Sequence, residues 1–266
     1  MSLLVAFLVG LYGLVIGSFV NALVWRIHER KGIAHGERSE CTHCHHTLAA
    51  KDLVPVLSWL WLRGKCRYCH KAISRQYPAV ELLTAFLFAL SYLQLAPVGI
   101  AGWFGLIVWL IVVAAFVALA VYDLRWLILP DKIVLPTFAI VAFGLFVEAT
   151  VLGLSWGTVG RHALAALALG AAFYALASLA GGKLMGGGDV KLGALMGLIL
   201  GLRATLLATL LAFNLAAIVG ITLILLRLRK RTDYIAFGPF LIIGTIIAFL
   251  FGHGIIAWYL RLNGLQ

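Results

Sequence analysis

The chain has 266 residues, of which 63% are hydrophobic and 12% charged, with a mean hydropathy of +1.05. These values exclude a water-soluble domain and define a polytopic membrane protein whose partner is a lipid bilayer. The net charge of +11 is read as membrane topology and contact with anionic lipid, and nucleic acid is not expected as a partner.

The expected fold class is all-α, with about eight transmembrane helices and a small cytoplasmic domain between the first and second. Runs suited to a core of roughly 30 Å fall at 3–25, 79–97, 103–122, 133–153, 162–180, 189–202, 204–226 and 236–259. The sixth is the shortest. A cleaved signal peptide is disfavoured for the first run, because no Lys or Arg precedes Arg26 and a basic cluster follows it. With the loop after the first run facing the cytoplasm, eighteen of the 21 Lys and Arg fall inside, and Arg161, Arg203 and Arg261 fall outside. The expected domains are residues 1–25 (first helix), 26–78 (cysteine-bearing cytoplasmic segment) and 79–266 (the remaining helices).

In the first run, Gly17-Ser18-Phe19-Val20-Asn21 precedes Arg26, which reads as a small-residue packing face with a polar contact and a basic anchor. The next segment holds all four cysteines, as Cys41-x-x-Cys44 and Cys66-x-x-Cys69 with 21 residues between the pairs. Two such pairs predict a tetrahedral Zn²⁺ site, each supplying two thiolates. Lys51, Arg63, Lys65, Arg67 and Lys71 are placed to offset its charge. A reducing cytoplasm argues against disulfides. His43, His45, His46 and His70 are alternative ligands, but four thiolates suffice. Leu53 to Leu62, with Trp59 and Trp61, is too short to span; it forms either the small core of this domain or an interfacial segment. Glu81, at the start of the second run, either pairs with a nearby arginine or contacts a ligand.

The third run ends at Tyr122-Asp123, and Pro130-Asp131-Lys132 follows; Asp131 reads as a loop or helix-start residue. The sixth opens on Gly186-Gly187-Gly188-Asp189-Val190-Lys191. Chain direction places Asp123 and Asp189 on one membrane face at one depth. An ionised group beside hydrocarbon costs roughly 2.5 to 3.5 kcal/mol on insertion scales, so both are functional candidates. Two close carboxylates share a proton and titrate as a unit. One takes a proton from water while the other hydrogen-bonds a scissile carbonyl, which is peptide-hydrolysis chemistry. Gly186 and Gly188 would let a substrate backbone approach. The competing reading is a proton or cation pathway, but these acids do not form a relay across the bilayer.

Tyr122-Asp123 with Gly186-x-Gly188-Asp189 resembles the paired motifs of the GxGD intramembrane aspartyl proteases. The fuller set resembles the bacterial type IV prepilin peptidases, also called leader peptidase and N-methyltransferase. It comprises Gly17 to Asn21 with Arg26, the cysteine pairs, Pro55 to Trp59, Arg63 to Arg67 and Ser74 to Glu81. Asp123 to Pro136, Gly187 to Gly197 and Phe237-Gly238-Pro239-Phe240 complete it. Val20 stands where the family usually has leucine.

The resemblance implies a bifunctional enzyme of the bacterial inner membrane, with Asp123 and Asp189 catalytic and Gly186, Gly188 and Lys191 supporting. It would cleave the basic leader of type IV prepilins or pseudopilins after glycine, on the cytoplasmic side. It would then methylate the new amino terminus from S-adenosylmethionine, with the cysteine segment tied to that second activity. The methyl-donor residues are unassigned, with Asn21, Arg26 and Glu81 as candidates. A peptidase without methyl transfer would be expected to lack the cysteine pairs, and a transporter or zinc-bearing scaffold would not need both aspartates at one face.

Overall fold

The computed structural model describes residues 2–31, 39–179, 181, 185–230 and 234–264. Arg38, Lys183 and Arg231, which enter the charge count, and Ala180, which ends the fifth run, lie outside the described residues. The long helices are α1 (Ser2–His28), α3 (Gln76–Leu95), α4 (Gly99–Trp126), α5 (Asp131–Thr150), α6 (Trp156–Leu179), α7 (Gly187–Leu225) and α8 (Gly238–Leu262), with a short α2 (Leu57–Trp61) between the first two. Among the described residues, these seven long helices are apolar enough to cross a membrane. They extend beyond several of the apolar runs because the polar ends stay helical where the chain enters water. The chain forms two compact units, residues 1–98 with 109–118 and residues 99–108 with 119–266.

In the first unit, α1 and α3 pack as antiparallel neighbours. A Cβ on Gly17 would lie 2.6 Å from the Glu81 Cα, and one on Gly13 would lie 2.8 Å from the Ala85 Cα. Glycine lets the two backbones touch there, the small-residue packing that holds membrane helices together when apolar burial gives no preference. Asn21 Nδ2 donates to the Tyr77 carbonyl at 3.1 Å, and the Trp109 indole N–H donates to Ser91 Oγ at 2.9 Å.

In the second unit, α7 has the length of two spans and is interrupted at Gly201, whose φ of 66° and ψ of 175° are non-helical. That conformation is essentially restricted to glycine. Phe173 of α6 lies against both sides of the break. A Cβ on Gly193 would sit 2.6 Å from its ring, and the Phe213 ring centroid is 6.4 Å away. On an uninterrupted helix Gly193 and Phe213 would be about 30 Å apart, so the chain doubles back at Gly201. The two arms, 187–200 and 202–225, correspond to the sixth and seventh apolar runs. His162 Nδ1 donates to the Leu198 carbonyl at 2.8 Å, capping the end of the first arm where the reversal leaves carbonyls without helical partners.

Candidate active site and metal centre

The cysteine segment is built from two copies of one local turn. Cys41 N–H donates to the His46 carbonyl at 3.0 Å and His45 N–H to the Cys41 carbonyl at 2.9 Å. Twenty-five residues later, Cys66 N–H donates to Lys71 at 2.9 Å and His70 N–H to Cys66 at 3.0 Å. His45 and His70 both take positive φ, 55° and 56°, and each turn is closed by an isolated β-bridge, Glu40 with Thr47 and Lys65 with Ala72. Each turn brings its two sulfurs to one point, and the ligand atoms of Cys41, Cys44, Cys66 and Cys69 all lie within 4.8 Å of one another. The Cys41 and Cys69 sulfurs are 3.9 Å apart. Ligands about 2.3 Å from a tetrahedral centre stand about 3.8 Å apart, so the cluster is sized to hold a metal.

All four cysteines are free thiols. Burial raises the Cys41 thiol, but the backbone N–H groups of Cys44 and His43 outweigh it and bring it down to about 7. The Lys71 N–H lowers Cys69, yet burial and the three neighbouring sulfurs push it up to about 11. Four thiolates this close cannot all ionise without a cation among them. His43, His45, His46 and His70 are exposed and outside the cluster. Arg67 bonds Asp52 at 2.6 Å, so among the basic residues expected to balance the sulfurs this one is engaged by a carboxylate. Asp52 also accepts from Tyr68 Oη and Ala49 N–H, tying the strand of chain after the first turn to the second turn.

Between the turns, Trp59 and Trp61 part company. Trp59 points inward, its indole N–H donating to Ile73 at 3.2 Å and its ring lying 2.9 Å from where a Gly64 Cβ would be, whereas Trp61 is 88% exposed. Glu81 is buried, and its Oε2 accepts the Val56 N–H at 2.7 Å. Asn21 is also buried, with Nδ2 on Tyr77 and Oδ1 without a partner among the described residues. Arg26 is half-buried and has an interaction partner. Among these three methyl-donor candidates, Glu81 and the Asn21 amide nitrogen also serve contacts within the fold.

In the second unit, Asp123 lies near the end of α4 and is 5% exposed. Its Oδ2 accepts the Gly238 N–H at 3.0 Å. This N–H belongs to the first turn of α8, where helical donors lack internal partners and the dipole favours an anion. Pro239 follows and suits a helix start. Asp189 is half-buried in the first turn of α7, and its Oδ2 accepts the Gly186 N–H at 3.2 Å. Leu129, from the α4–α5 connection, lies between the two helix starts: Cβ atoms on Gly188 and Gly238 would come within 2.9 Å and 3.3 Å of its side chain. A Cβ on Gly238 would also stand 2.6 Å from Asp123 Oδ2.

Gly188 is therefore required by Leu129, while around Gly187 no atom of the described residues lies within 4 Å of a Cβ position. Lys191 Nζ bonds both Asp131 oxygens, at 2.6 and 2.8 Å. Asp131 thus begins α5 as expected and also ties it to the second turn of α7. Gly238 as the donor to Asp123 and Leu129 as the wedge were not anticipated from sequence. The signal available for the first was Gly-Pro at the start of an apolar run.

The arrangement can hold one carboxylate against a backbone donor in a buried setting and a second, more accessible, beside it. That is the equipment of an acid–base pair at a membrane surface. Fold and site together define a multi-pass membrane protein with a four-sulfur centre in one unit and a carboxylate pair at helix termini in the other.

Residues 11–95, which include all four cysteines, match the bacterial peptidase A24 N-terminal domain, and residues 110–221, which include Asp123 and Asp189, match the type IV leader peptidase family. The chain is 38% identical to a prepilin leader peptidase/N-methyltransferase of Aeromonas hydrophila, over 95% of this chain and 93% of that protein. It is 34% identical to one of Pectobacterium carotovorum subsp. carotovorum, over 91% of each chain. It is 33% identical to one of Bacillus subtilis (strain 168), over 95% of this chain and 96% of that protein. No solved structure matches the chain significantly. The chain belongs to the type IV leader peptidase family.

Proposed function

We propose that this protein is a bifunctional prepilin peptidase and N-methyltransferase of the bacterial inner membrane. The observation that carries the reading is the likeness to relatives bearing that double name over nearly the whole of both chains, with Leu129 lying against both Gly188, next to Asp189, and Gly238, next to Asp123. The substrate is a type IV prepilin or pseudopilin precursor, cut on the cytoplasmic side after glycine at the end of its basic leader. The positive-inside charge distribution supports that orientation.

In the proposed reaction one aspartate is ionised and the other protonated. The ionised carboxylate takes a proton from water as the oxygen attacks the scissile carbonyl, and the protonated one gives its proton to the carbonyl oxygen. The tetrahedral intermediate then collapses as the departing amine is protonated and the C–N bond breaks. The Gly238 N–H steadies Asp123 through this exchange, and the Gly186 N–H steadies Asp189. The uncovered backbone at Gly187 is where the substrate chain passes. Cys41, Cys44, Cys66 and Cys69 hold one Zn²⁺, which fixes the two turns of the small domain in one arrangement. S-adenosylmethionine supplies an electrophilic methyl group to the new amino terminus, and Asn21, Arg26 and Glu81 are the candidate residues for holding it.

The test is mass spectrometry of a prepilin co-expressed with the protein, which reads leader loss and the gain of one methyl group separately. Both changes are expected. Leader loss without methyl gain would establish a peptidase alone, and neither change would leave a membrane scaffold.

A further inference from the structure

Residues 53–61 carry an apolar face that no described residue covers. Leu53, Val54, Leu57, Leu60 and Trp61 are 39%, 41%, 62%, 57% and 88% exposed. Leu57, Leu60 and Trp61 stand at i, i+3 and i+4 on α2, one side of the helix, while Trp59 on the other side is turned inward. A tryptophan this exposed amid leucines marks a contact surface in a domain that otherwise satisfies its polar groups.

Two observations say what covers it. The first is depth. The backbone at Val56, one residue before α2, is bonded to Glu81, which lies about 7.5 Å along α3 from its start at Gln76. The 20 residues of α3 make about 30 Å of helix, matching the hydrocarbon thickness with little to spare. The opening turns of α3 are therefore at the acyl boundary, and the Glu81 bond holds α2 at that level.

The second is charge. Lys51, before this segment, and Arg63 and Lys65, after it, are exposed and form no ion pair among the described residues, while the acidic Asp52 is neutralised by Arg67. An apolar face at acyl depth with unpaired cations beside it matches an interfacial element on an anionic bilayer.

We infer that residues 53–61 are an interfacial anchor: α2 lies in the plane of the membrane surface, with Leu57, Leu60 and Trp61 among acyl chains and Arg63 and Lys65 on anionic phospholipid headgroups. The anchor holds the four-cysteine centre at headgroup level. It does not depend on which reactions the protein catalyses.

The experiment uses full-length protein in vesicles of phosphatidylglycerol with phosphatidylethanolamine, carrying Leu57→benzoylphenylalanine or Trp61→benzoylphenylalanine, with Lys71→benzoylphenylalanine as the solvated control. Phospholipid photo-adducts at 57 and 61 should exceed those at 71 at least about fivefold. Arg63→Glu with Lys65→Glu should lower them in these vesicles and leave them unchanged in pure phosphatidylcholine. In the unlabelled protein, lipid brominated near the headgroup should quench less of the tryptophan fluorescence after Trp61→Phe, a readout independent of the photoreactive variants. Adducts no higher at 57 and 61 than at 71, with no change in quenching, would overturn the anchor. Adducts that pass from lipid to an added prepilin peptide would also overturn it, and would make the face a substrate dock.

Discussion

The four-cysteine centre and the aspartate pair are assembled in opposite ways. Each cysteine turn closes on itself within eight residues, bridged from Glu40 to Thr47 and from Lys65 to Ala72, so a half-site exists before the rest of the chain is placed. The aspartate site has no local half. Asp123 is completed by Gly238, 115 residues away, and Leu129 must fit against Gly188 and Gly238 together. A locally formed site tolerates changes elsewhere in the fold, whereas one assembled from four helix ends registers sub-ångström shifts in any of them.

The sharpest way to break the comparison is to disable one site and read both activities. Asp123→Asn or Asp189→Asn should lower leader cleavage about a thousandfold or more, with the double variant no worse, as for residues acting as a unit. Either should still methylate a supplied mature peptide. Changing the four cysteines to serine should do the reverse, removing about one zinc per chain by metal analysis and abolishing methyl transfer while cleavage persists. If both activities fell together in a correctly inserted variant, the two sites would not be separable.

A smaller effect is expected from Gly238→Ala. The added carbon would stand 2.6 Å from Asp123 Oδ2, so the carboxylate or the start of α8 must move. A displacement approaching 1 Å should cost roughly 10²-fold in kcat. Zinc content should not change.

Asp52 probes the local centre by pH. Its burial raises the carboxyl, but the bonds from Arg67, Tyr68 and the Ala49 N–H outweigh it and hold the pKa below the ordinary 3.8. A group depressed in the folded state stabilises above its unfolded pKa and loses that contribution as pH falls through the folded one. The difference in chelator resistance between wild type and Asp52→Asn should therefore be constant from about pH 8 to about pH 5 and disappear only below about pH 4. A difference that faded near neutral pH would contradict the assignment. The smallest effect belongs to Asp131→Asn: its bond to Lys191 is half exposed, and exposed ion pairs contribute about 0 to 1 kcal/mol, so cleavage should fall less than about fivefold.

The difference in assembly also explains what could be read from the sequence. The cysteine centre was legible because its ligands are spaced by the turn that makes them, and no distant residue enters. The helices were legible from apolar runs, and the two arms of α7 from the separate runs 189–202 and 204–226. The two aspartates could be placed on one face by counting crossings, but Gly238 could not be tied to Asp123, because spacing along a chain does not say which helix start meets which helix end. The same limit hid the contact that Glu81 makes, for which an arginine or a ligand was expected. Its partner is a backbone N–H at Val56, and a backbone donor leaves no trace in residue identity.

The reversal at Gly201 gives Asp189 a mechanical position. The arm 187–200 is a lever about 21 Å long, hinged at the glycine and carrying the carboxylate at its far end. A tilt of about 3° at the hinge displaces that end by about 1 Å, the scale on which a reacting geometry is made or lost. The stiffness of the lever is set along its length, by Ala165 against Gly197 and Phe173 against Gly193, and at its base by His162 on Leu198. Substitutions along this arm and at its far end, at Gly193, Gly197 and His162, are therefore expected to reach Asp189.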